Sequence, residues 1–307
     1  MWKDWLRPLL RPLPQWSTIA LPPTQATVAA TLSWPGGAAD VTHDHTVASL
    51  KPLSIVSSVD AGLSPVIEYR ECSTERVLGQ LRLLQVEPMI VDGISLSVYR
   101  VQAGAHRCLR WPHRRWNAFL QNRLIRKHPS SQHALMAPAS VQQLMIAYLS
   151  PRPVVLVSVE AASHRNLFPM DLIGPLERSG FYSLALRSTN VSMPFMRESG
   201  RVVLSSVPAS MKAAVYQLSA RHRQALDDWE RLPLRMSPSR EFGIPSVADA
   251  LRVHELSIVH AQGIGSHTLF VGRIVSTEEH RDGTQLHHAP GYYQRYRQRQ
   301  NKAFPEA

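Results

Sequence analysis

Hydrophobic and polar positions in the first part of the chain alternate in short runs that are typical of half-buried β-strands. Each run is rich in Val, Ile, Leu, Thr and Ser and is bounded by Pro, Gly or Asp. The runs cover residues 26–34, 46–57, 66–71 and 89–101. Asp92-Gly93 stands between two apolar runs and predicts a tight hairpin turn. We therefore expect a β-rich N-terminal accessory region, and the sequence shows no internal repeat.

The pattern changes near residue 130, where the polar, proline-containing segment 128–133 predicts a linker. Beyond it, helical spacing at 139–148 and 210–224 predicts two helices, and a short helical turn is expected at 194–198. Further strands are predicted at 153–159, 182–187, 201–206, 253–260 and 268–276. The fold class is thus mainly β (α+β), a small barrel with peripheral helices. The chain divides into an accessory region, 1–130, which ends in a basic helix at about 111–127, and a barrel region, 131–307.

Length and composition favour a soluble globular protein. The 307 residues are 44% hydrophobic, which is enough to bury a sizeable core. No apolar run is long enough to span a membrane, and charge and proline interrupt residues 1–8 before a secretory signal can form. We therefore expect a cytoplasmic protein without membrane association. Cys72 and Cys108 are too few for a disulfide framework and lie in no metal-ligand spacing, so two free thiols are expected.

The formal net charge of +11 is unevenly distributed, since residues 93–159 contain no Asp or Glu. Basic residues crowd this stretch, interleaved with Trp111, Trp116 and Phe119: Arg107, Arg110, Arg114, Arg115, Arg123, Arg126 and Lys127. A helix of this composition could bind nucleic acid through phosphate contacts and base stacking. The alternative is a solvated helix whose aromatic side chains pack inward. We favour the alternative, because no nucleic-acid-binding motif accompanies the charge.

Two histidine-containing segments raise the question of a metal site. Residues 42–45 contain His43 and His45, and His287-His288 forms a second pair. No third ligand can be assigned to either group, so no metal site is predicted. The glycines at 263–265 open no helix, which excludes a dinucleotide loop, and no nucleophile elbow points to hydrolysis.

One turn has the residue types that bind a phosphate. Arg187, Ser188, Thr189, Asn190 and Ser192 offer a cation, hydroxyls and backbone N–H groups just before a short helix. A polar turn with Ser192 as helix N-cap is the structural alternative. His267 follows a glycine turn at the start of an apolar strand; it is a candidate catalytic residue or a hydrogen-bonded structural one.

The segments 166–171, 187–192 and 265–275 resemble, in order and spacing, those of the flavin-reductase-like, FMN-binding split-barrel family. The resemblance covers residues 139–296. It implies a split β-barrel that binds FMN, or alternatively FAD, and takes hydride from NADH or NADPH as an oxidoreductase. It also implies a homodimer. A flavin-binding sensor or assembly subunit without turnover, and a basic nucleic-acid-binding module, are the alternative functions.

The same resemblance assigns roles to individual residues. His267 would be catalytic. The cofactor would be bound by Asn166, Phe168, Pro169, Met170, Asp171, Leu172, Arg187, Ser188, Thr189, Asn190 and Ser192. Phe168 and Met170 could equally pack in the core, and Asp171 could accept a hydrogen bond from the flavin or cap a turn. The sequence departs from the family at 168–171, where the usual small hydroxyl residues are missing, and at Ser266, which replaces an acidic residue.

Overall fold

The structure is a computed structural model that describes residues 11–23, 26–86, 88–127 and 138–307. The predicted linker at 128–133 and the first ten residues lie outside these ranges. In the part of the chain that is described, no helix is long and apolar enough to cross a membrane. Cys72 and Cys108 are both free thiols, as expected.

The N-terminal region is a large antiparallel sheet. Its strands are β2 (Val28–Trp34), β3 (Gly37–Asp40), β4 (His45–Leu50), β5 (Leu53–Ser57), β6 (Val66–Glu71), β7 (Val77–Gln85), β8 (Met89–Val91) and β9 (Ile94–His106). The order across the sheet is β3-β2-β6-β7-β9-β5-β4, and β8 pairs with β9. The hairpin predicted at Asp92-Gly93 is confirmed, with φ of 47° and 78° at the two residues. The run predicted as one strand at 46–57 is instead two strands, because Lys51 and Pro52 turn the chain.

Two helices, α1 (Trp111–Lys127) and α2 (Pro138–Ala147), follow the first sheet, and a second antiparallel sheet comes after them. The strands of this sheet are β11 (Val155–Ala161), β12 (His164–Met170), β13 (Ile173–Leu176), β14 (Phe181–Arg187), β15 (Arg201–Ser206), β18 (Arg252–Ile264) and β19 (His267–Glu279). The helix α3 (Met193–Ser199) follows β14, and α4 (Lys212–Gln217) and the small hairpin of β16 (Met236–Pro238) and β17 (Pro245–Val247) lie between β15 and β18.

Strand order shows why this sheet forms a split barrel. The order is β12-β11-β15-β18-β19-β14-β13, so β12 and β13 are the two edges. These edge strands are consecutive in the chain, and only Asp171 and Leu172 separate them. The sheet must therefore curl until its edges adjoin, which produces a barrel that is open along one line. The predicted fold class, mainly β with a split barrel and peripheral helices, is confirmed.

The helix predicted at 210–224 is shorter and less regular than expected. A 3₁₀ turn, Ala209–Met211, leads into α4, and a second 3₁₀ segment, Leu218–His222, follows. Val215 is the buried residue of α4, and Leu218 is the buried residue of the 3₁₀ segment that follows it.

A third sheet connects distant parts of the chain. Its central strand, β20 (Gln285–Ala289), pairs with β1 (Ser17–Leu21) on one side and with β10 (Arg152–Pro153) on the other, and α5 (Gly291–Gln298) follows it. A continuous apolar core includes Ile55 of the first large sheet and Leu184 of the second. The two large sheets therefore pack on a common interior.

The aromatic side chains of α1 do not pack inward, contrary to the preferred expectation. Trp111, Trp116 and Phe119 are about half exposed, at 59%, 47% and 53%. The guanidinium of Arg115 lies over the Trp111 ring, 4.8 Å from its centroid. Leu120, by contrast, is buried. The outer face of α1 thus presents rings and cations together.

Candidate functional site

Strand pairing brings the predicted phosphate turn next to His267. Arg187, the last residue of β14, is the cross-strand partner of His267, the first residue of β19. The Ser188 N–H donates to the Ser266 carbonyl over 3.2 Å, which joins the turn after β14 to the β18–β19 turn. Arg187, Ser188 and Thr189 are exposed there. A cation and two hydroxyls therefore border the histidine at one end of the barrel.

Three other residues predicted to bind the cofactor form a buried network that fixes this turn. The Asn166 amide donates to Ser192 Oγ over 2.9 Å, and His164 Nε2 lies 3.0 Å from the same oxygen. Asn190 accepts the Ser192 N–H at 2.9 Å, and its amide nitrogen lies 3.0 Å from His222 Nδ1. Ser192 does occupy the N-cap position of α3, but its hydroxyl makes no capping bond because it belongs to this network.

The backbone of the turn is also engaged within the protein. The Asn190 N–H donates to the Arg187 carbonyl and the Val191 N–H to the His222 carbonyl, over 2.9 and 3.2 Å. With the Ser188 and Ser192 N–H groups bonded as described, the groups that face solvent are mainly side chains. The phosphate-binding set predicted from sequence therefore narrows to the guanidinium of Arg187 and the hydroxyls of Ser188 and Thr189.

His267 is 2% exposed and lies against the N-terminal half of the chain. Its Nδ1 is 2.9 Å from Ser266 Oγ and 3.5 Å from the Leu50 N–H. The Lys51 carbonyl accepts the Ser266 N–H over 2.8 Å, so the β4–β5 turn closes over the β18–β19 turn. Ser266 thus orients the imidazole by a neutral hydrogen bond.

Burial, followed by the positive charge of Arg187, lowers the pKa of His267 to about 4. The unfolded chain takes up a proton near pH 6.5, whereas the folded protein resists it until about pH 4. Between these two pH values the unfolded chain binds about one proton more at this residue than the folded protein does. We therefore expect the free energy of unfolding to decrease as pH falls through this window.

Replacing His267 by glutamine tests this pH dependence. Urea denaturation between about pH 6.5 and 4 measures the slope of the unfolding free energy against pH, which gives the number of protons taken up on unfolding. In His267→Gln this number should be smaller by about one. His260→Gln, at a half-buried position of β18, is the matched control for replacing a histidine by glutamine in this pair of strands. An unchanged slope in His267→Gln would show that this imidazole titrates normally in the folded protein.

The apolar residues predicted to contact the flavin line the inside of the barrel edge. Phe168 is fully buried, with its ring centroid 5.1 Å from that of His222. Met170 and Leu172 are buried as well, and Pro169 is half-buried. Burial lowers the pKa of His222, an effect that the charge of Arg187 reinforces. Phe168 therefore packs in the core behind the turn, and Pro169 is the more accessible residue of this segment.

Asp171 is ion-paired at the opening between β12 and β13. Its Oδ2 lies 2.8 Å from Arg152 Nη1 and 2.6 Å from His288 Nδ1. Burial alone would raise the pKa of Asp171, but the Arg152 guanidinium and His288 hold it well below its usual range. Neither predicted role, flavin contact or turn cap, anticipated this pairing.

The partners of Asp171 were not predicted from the sequence. Arg152 also lies over the Tyr148 ring, 3.2 Å from its centroid, and Tyr216 hydrogen-bonds to His288 Nε2. The His287-His288 pair stood out in the sequence only as a metal candidate. Among the residues that the structure describes, no three His, Cys, Asp or Glu side chains are grouped where they could hold a metal ion.

Three solved structures are similar to part of this chain at low sequence identity. An NADH:FAD oxidoreductase from Streptomyces globisporus is 17% identical, with 50% of this chain and 89% of that chain covered and a TM-score of 0.43. The flavin reductase component of a bacterial two-component tryptophan halogenase is 18% identical, with 49% and 98% covered and a TM-score of 0.42. An FMN-binding protein from Thermus thermophilus is 20% identical, with 42% and 72% covered and a TM-score of 0.37.

No curated protein matches the chain. A family model described as the flavin reductase like domain matches residues 147–301. The matched segment contains the whole second sheet, the turn that begins at Arg187, and His267. It spans half of the sequence, and the chain belongs to the flavin-reductase-like family.

Proposed function

We propose that this protein is an FMN-binding oxidoreductase that accepts hydride from NADH or NADPH, with FAD as the alternative flavin. The observation that carries the proposal is the exposed Arg187-Ser188-Thr189 turn, which lies beside His267 in the segment that matches the family. A bound flavin supplies the hydride chemistry, and the protein supplies binding and orientation.

The side chains fit the phosphate end of a flavin nucleotide. The Arg187 guanidinium can make charge-assisted hydrogen bonds to phosphate oxygens, and the two adjacent hydroxyls can donate as well. The buried Asn166–Ser192–Asn190 network holds the turn in place, so little conformational freedom is lost on binding. These residues thus form a prearranged anion site.

The residues near the ring end have different roles. Pro169 provides half-buried apolar surface at the barrel edge and Met170 is buried beside it in sequence, while Asp171 is ion-paired with Arg152 and His288. The imidazole of His267, at the first residue of β19, is neutral at physiological pH because its pKa is lowered to about 4. A neutral ring there can donate or accept a hydrogen bond without competing with Arg187 for the phosphate.

Arg187→Ala should raise the dissociation constant for FMN about 10- to 100-fold, because a charge-assisted hydrogen bond contributes about 1.5–3 kcal/mol. Quenching of flavin fluorescence measures this constant. Riboflavin, which lacks the phosphate, should bind the unaltered protein and Arg187→Ala with equal affinity. Arg197→Ala, which removes an exposed arginine from α3, is the control. Unchanged FMN affinity in Arg187→Ala would assign the phosphate to another part of the molecule.

The absorbance spectrum of the purified protein tests flavin binding directly. A band at about 450 nm, present on purification or after titration with FMN, is the expected result. Anaerobic addition of NADH or NADPH should bleach this band. Flavin binding without bleaching would favour the sensor or assembly-subunit alternative, and a protein that takes up no flavin would refute the proposal.

The outer face of α1 favours a second candidate function, which is binding to nucleic acid. Exposed Trp111, Trp116 and Phe119 could stack on bases while the neighbouring arginines contact phosphates. Fluorescence anisotropy with mixed-sequence DNA and RNA tests this function. Binding should weaken steeply as salt increases, whereas absent or salt-insensitive binding would eliminate it.

The homodimer and the cytoplasmic location stay predictions. The homodimer follows from the family resemblance, and the cytoplasmic location follows from the composition of the chain.

A further inference from the structure

The two large sheets have the same strand topology. In chain order, the seven strands of the first are β2, β3, β4, β5, β6, β7 and β9, and those of the second are β11, β12, β13, β14, β15, β18 and β19. In both sheets the order across the sheet is second, first, fifth, sixth, seventh, fourth, third. Neighbouring strands are antiparallel throughout both sheets. Seven strands allow many orders, so this agreement indicates two versions of one fold.

The tight turns agree as well. The sixth and seventh strands meet at Gly265-Ser266 in the second sheet. In the first sheet β8 continues the sixth strand and meets the seventh at Asp92-Gly93. The third and fourth strands are joined by Lys51-Pro52 in one sheet and by residues 177–180 in the other. The fifth-to-sixth connections differ most, 72–76 against 207–251, which obscures the repeat in the sequence.

The equivalent third strands, β4 and β13, pack against each other. Thr46 Cβ lies 3.5 Å from the position that a Cβ on Gly174 would occupy. Just beyond these strands, the Glu177 N–H donates to the His43 carbonyl over 3.1 Å, and the Arg178 N–H donates to Asp44 Oδ1 over 2.7 Å. Contact between equivalent elements is the property of an interface with twofold symmetry.

The neighbouring turns show the reciprocal contacts that such symmetry requires. The third-to-fourth turn of the first half touches the sixth-to-seventh turn of the second half, since the Lys51 carbonyl accepts the Ser266 N–H. In the converse pair, Arg273 of β19 bridges the Asp92-Gly93 turn of the first half to Phe181, the residue that follows the 177–180 turn of the second half. The Arg273 Nη2 is 3.2 Å from Asp92 Oδ2, and its guanidinium lies over the Phe181 ring, 4.5 Å from the centroid. Both halves therefore use the same surfaces toward each other.

We propose that residues 28–106 are a diverged second copy of the split barrel at 155–279, so that the chain is a fused pair of barrels. The first copy closes the site of the second, because the Leu50 N–H and the Lys51 carbonyl contact His267 and Ser266. The surface through which two such barrels pair is occupied within one chain, so we expect a monomer in place of the homodimer that the family resemblance implies.

The first copy has lost the anion site that the second retains, an inference that rests on the proposed function. The fourth strand of the first copy, β5, ends at Ser57, whose hydroxyl donates to the Asp44 carbonyl over 2.8 Å, and the seventh strand begins at Ile94. Arg187 and His267 hold the corresponding places in the second copy. The first copy therefore has no guanidinium at the end of its fourth strand, and the carboxylate of Asp60, three residues later, would repel a phosphate. The chain therefore binds one flavin.

A disulfide between the copies tests the fused pair without flavin. In Thr46→Cys/Gly174→Cys the two Cβ atoms would be about 3.5 Å apart, within the range that a disulfide needs. Oxidation should join the two introduced thiols in a disulfide, and the product should migrate as a monomer on a non-reducing gel. In Thr46→Cys alone, the introduced thiol should stay free. Disulfide-linked dimers, or two thiols that stay free, would overturn the proposal.

Two further measurements do not depend on this buried pair. Light scattering of the unaltered protein should give the mass of one chain, and a homodimer mass would overturn the proposal. In the exposed pair Asp92→Cys/Arg273→Cys, a short bismaleimide should bridge the two sites within one chain rather than between chains. Cross-linked dimers would again count against a fused pair.

Calorimetric titration with FMN separates this inference from the proposed function. One flavin per monomer supports both. Two flavins per chain would overturn the loss of the first site. A monomer that bridges internally but binds no flavin would refute the proposed function and leave the fused pair supported.

Discussion

Replacing Gly265 by alanine is expected to lower the free energy of unfolding by about 3 kcal/mol and to weaken flavin binding. Gly265 has φ of 57°, and a Cβ there would lie 2.1 Å from the Lys51 carbonyl oxygen, which is part of the backbone and cannot rotate away. The left-handed conformation costs an alanine about 1–2 kcal/mol, and displacement of the β4–β5 turn breaks the Ser266–Lys51 hydrogen bond. Because His267 follows directly, its position changes as well.

Gly263→Ala is the matched control for this substitution. Gly263 lies in the strand that leads into the same turn, and a Cβ there meets no atom within 4 Å. Chemical denaturation measures the unfolding free energies, and FMN titration measures affinity. Equal stability of the two variants would show that the contact between the β4–β5 and β18–β19 turns is not maintained in solution.

Asp171→Asn should also lower the free energy of unfolding by about 3 kcal/mol at neutral pH, because removing one partner of a largely buried ion pair leaves the other charge without compensation. The carboxylate is about one quarter exposed and balances Arg152, whose side chain is 11% exposed. Asp227→Asn, which disrupts an exposed pair with Arg231, is the control and should change stability by less than about 0.5 kcal/mol.

The effect of Asp171→Asn should depend on pH in a defined direction. The pKa of Asp171 is lowered in the folded protein, so its contribution is complete above the unfolded pKa of about 3.9 and is lost as pH falls toward the folded value. Urea denaturation at about pH 7 and pH 3 should show a smaller difference between the two proteins at the acidic pH. A constant difference would mean that the carboxylate is not ion-paired.

The sequence predicts most strands of the barrel because alternation and apolar runs report directly on burial. The sequence does not predict a strand where the local pattern is interrupted or where the strand depends on a distant partner. The strand β7 is not predicted, because Gly79 interrupts its pattern; a Cβ at Gly79 would lie 2.8 Å from the Leu149 side chain, so the close packing of this side chain requires the glycine. The strand β1 is not predicted either, because it follows a proline-rich lead-in and depends on pairing with β20, which is more than 260 residues away.

The candidate site shows the same division between local and distant information. The turn at 187–192 could be recognised because its residues are contiguous, and β14 pairs with β19 as a barrel requires. The partners that fix it are distant in sequence: His222 bonds Asn190, Leu50 approaches His267, and His288 holds Asp171. The repeated topology was hidden for a related reason, since strand pairing maintains a topology while side chains and connections change.

The small sheet around β20 has a consequence for how the molecule unfolds. β1 leads into the first barrel and β10 into the second, and both pair with β20, which follows the last barrel strand. Melting of either half would remove a neighbour of β20 and expose part of the shared interior. The two barrels should therefore lose structure together, in one cooperative transition rather than as independent modules.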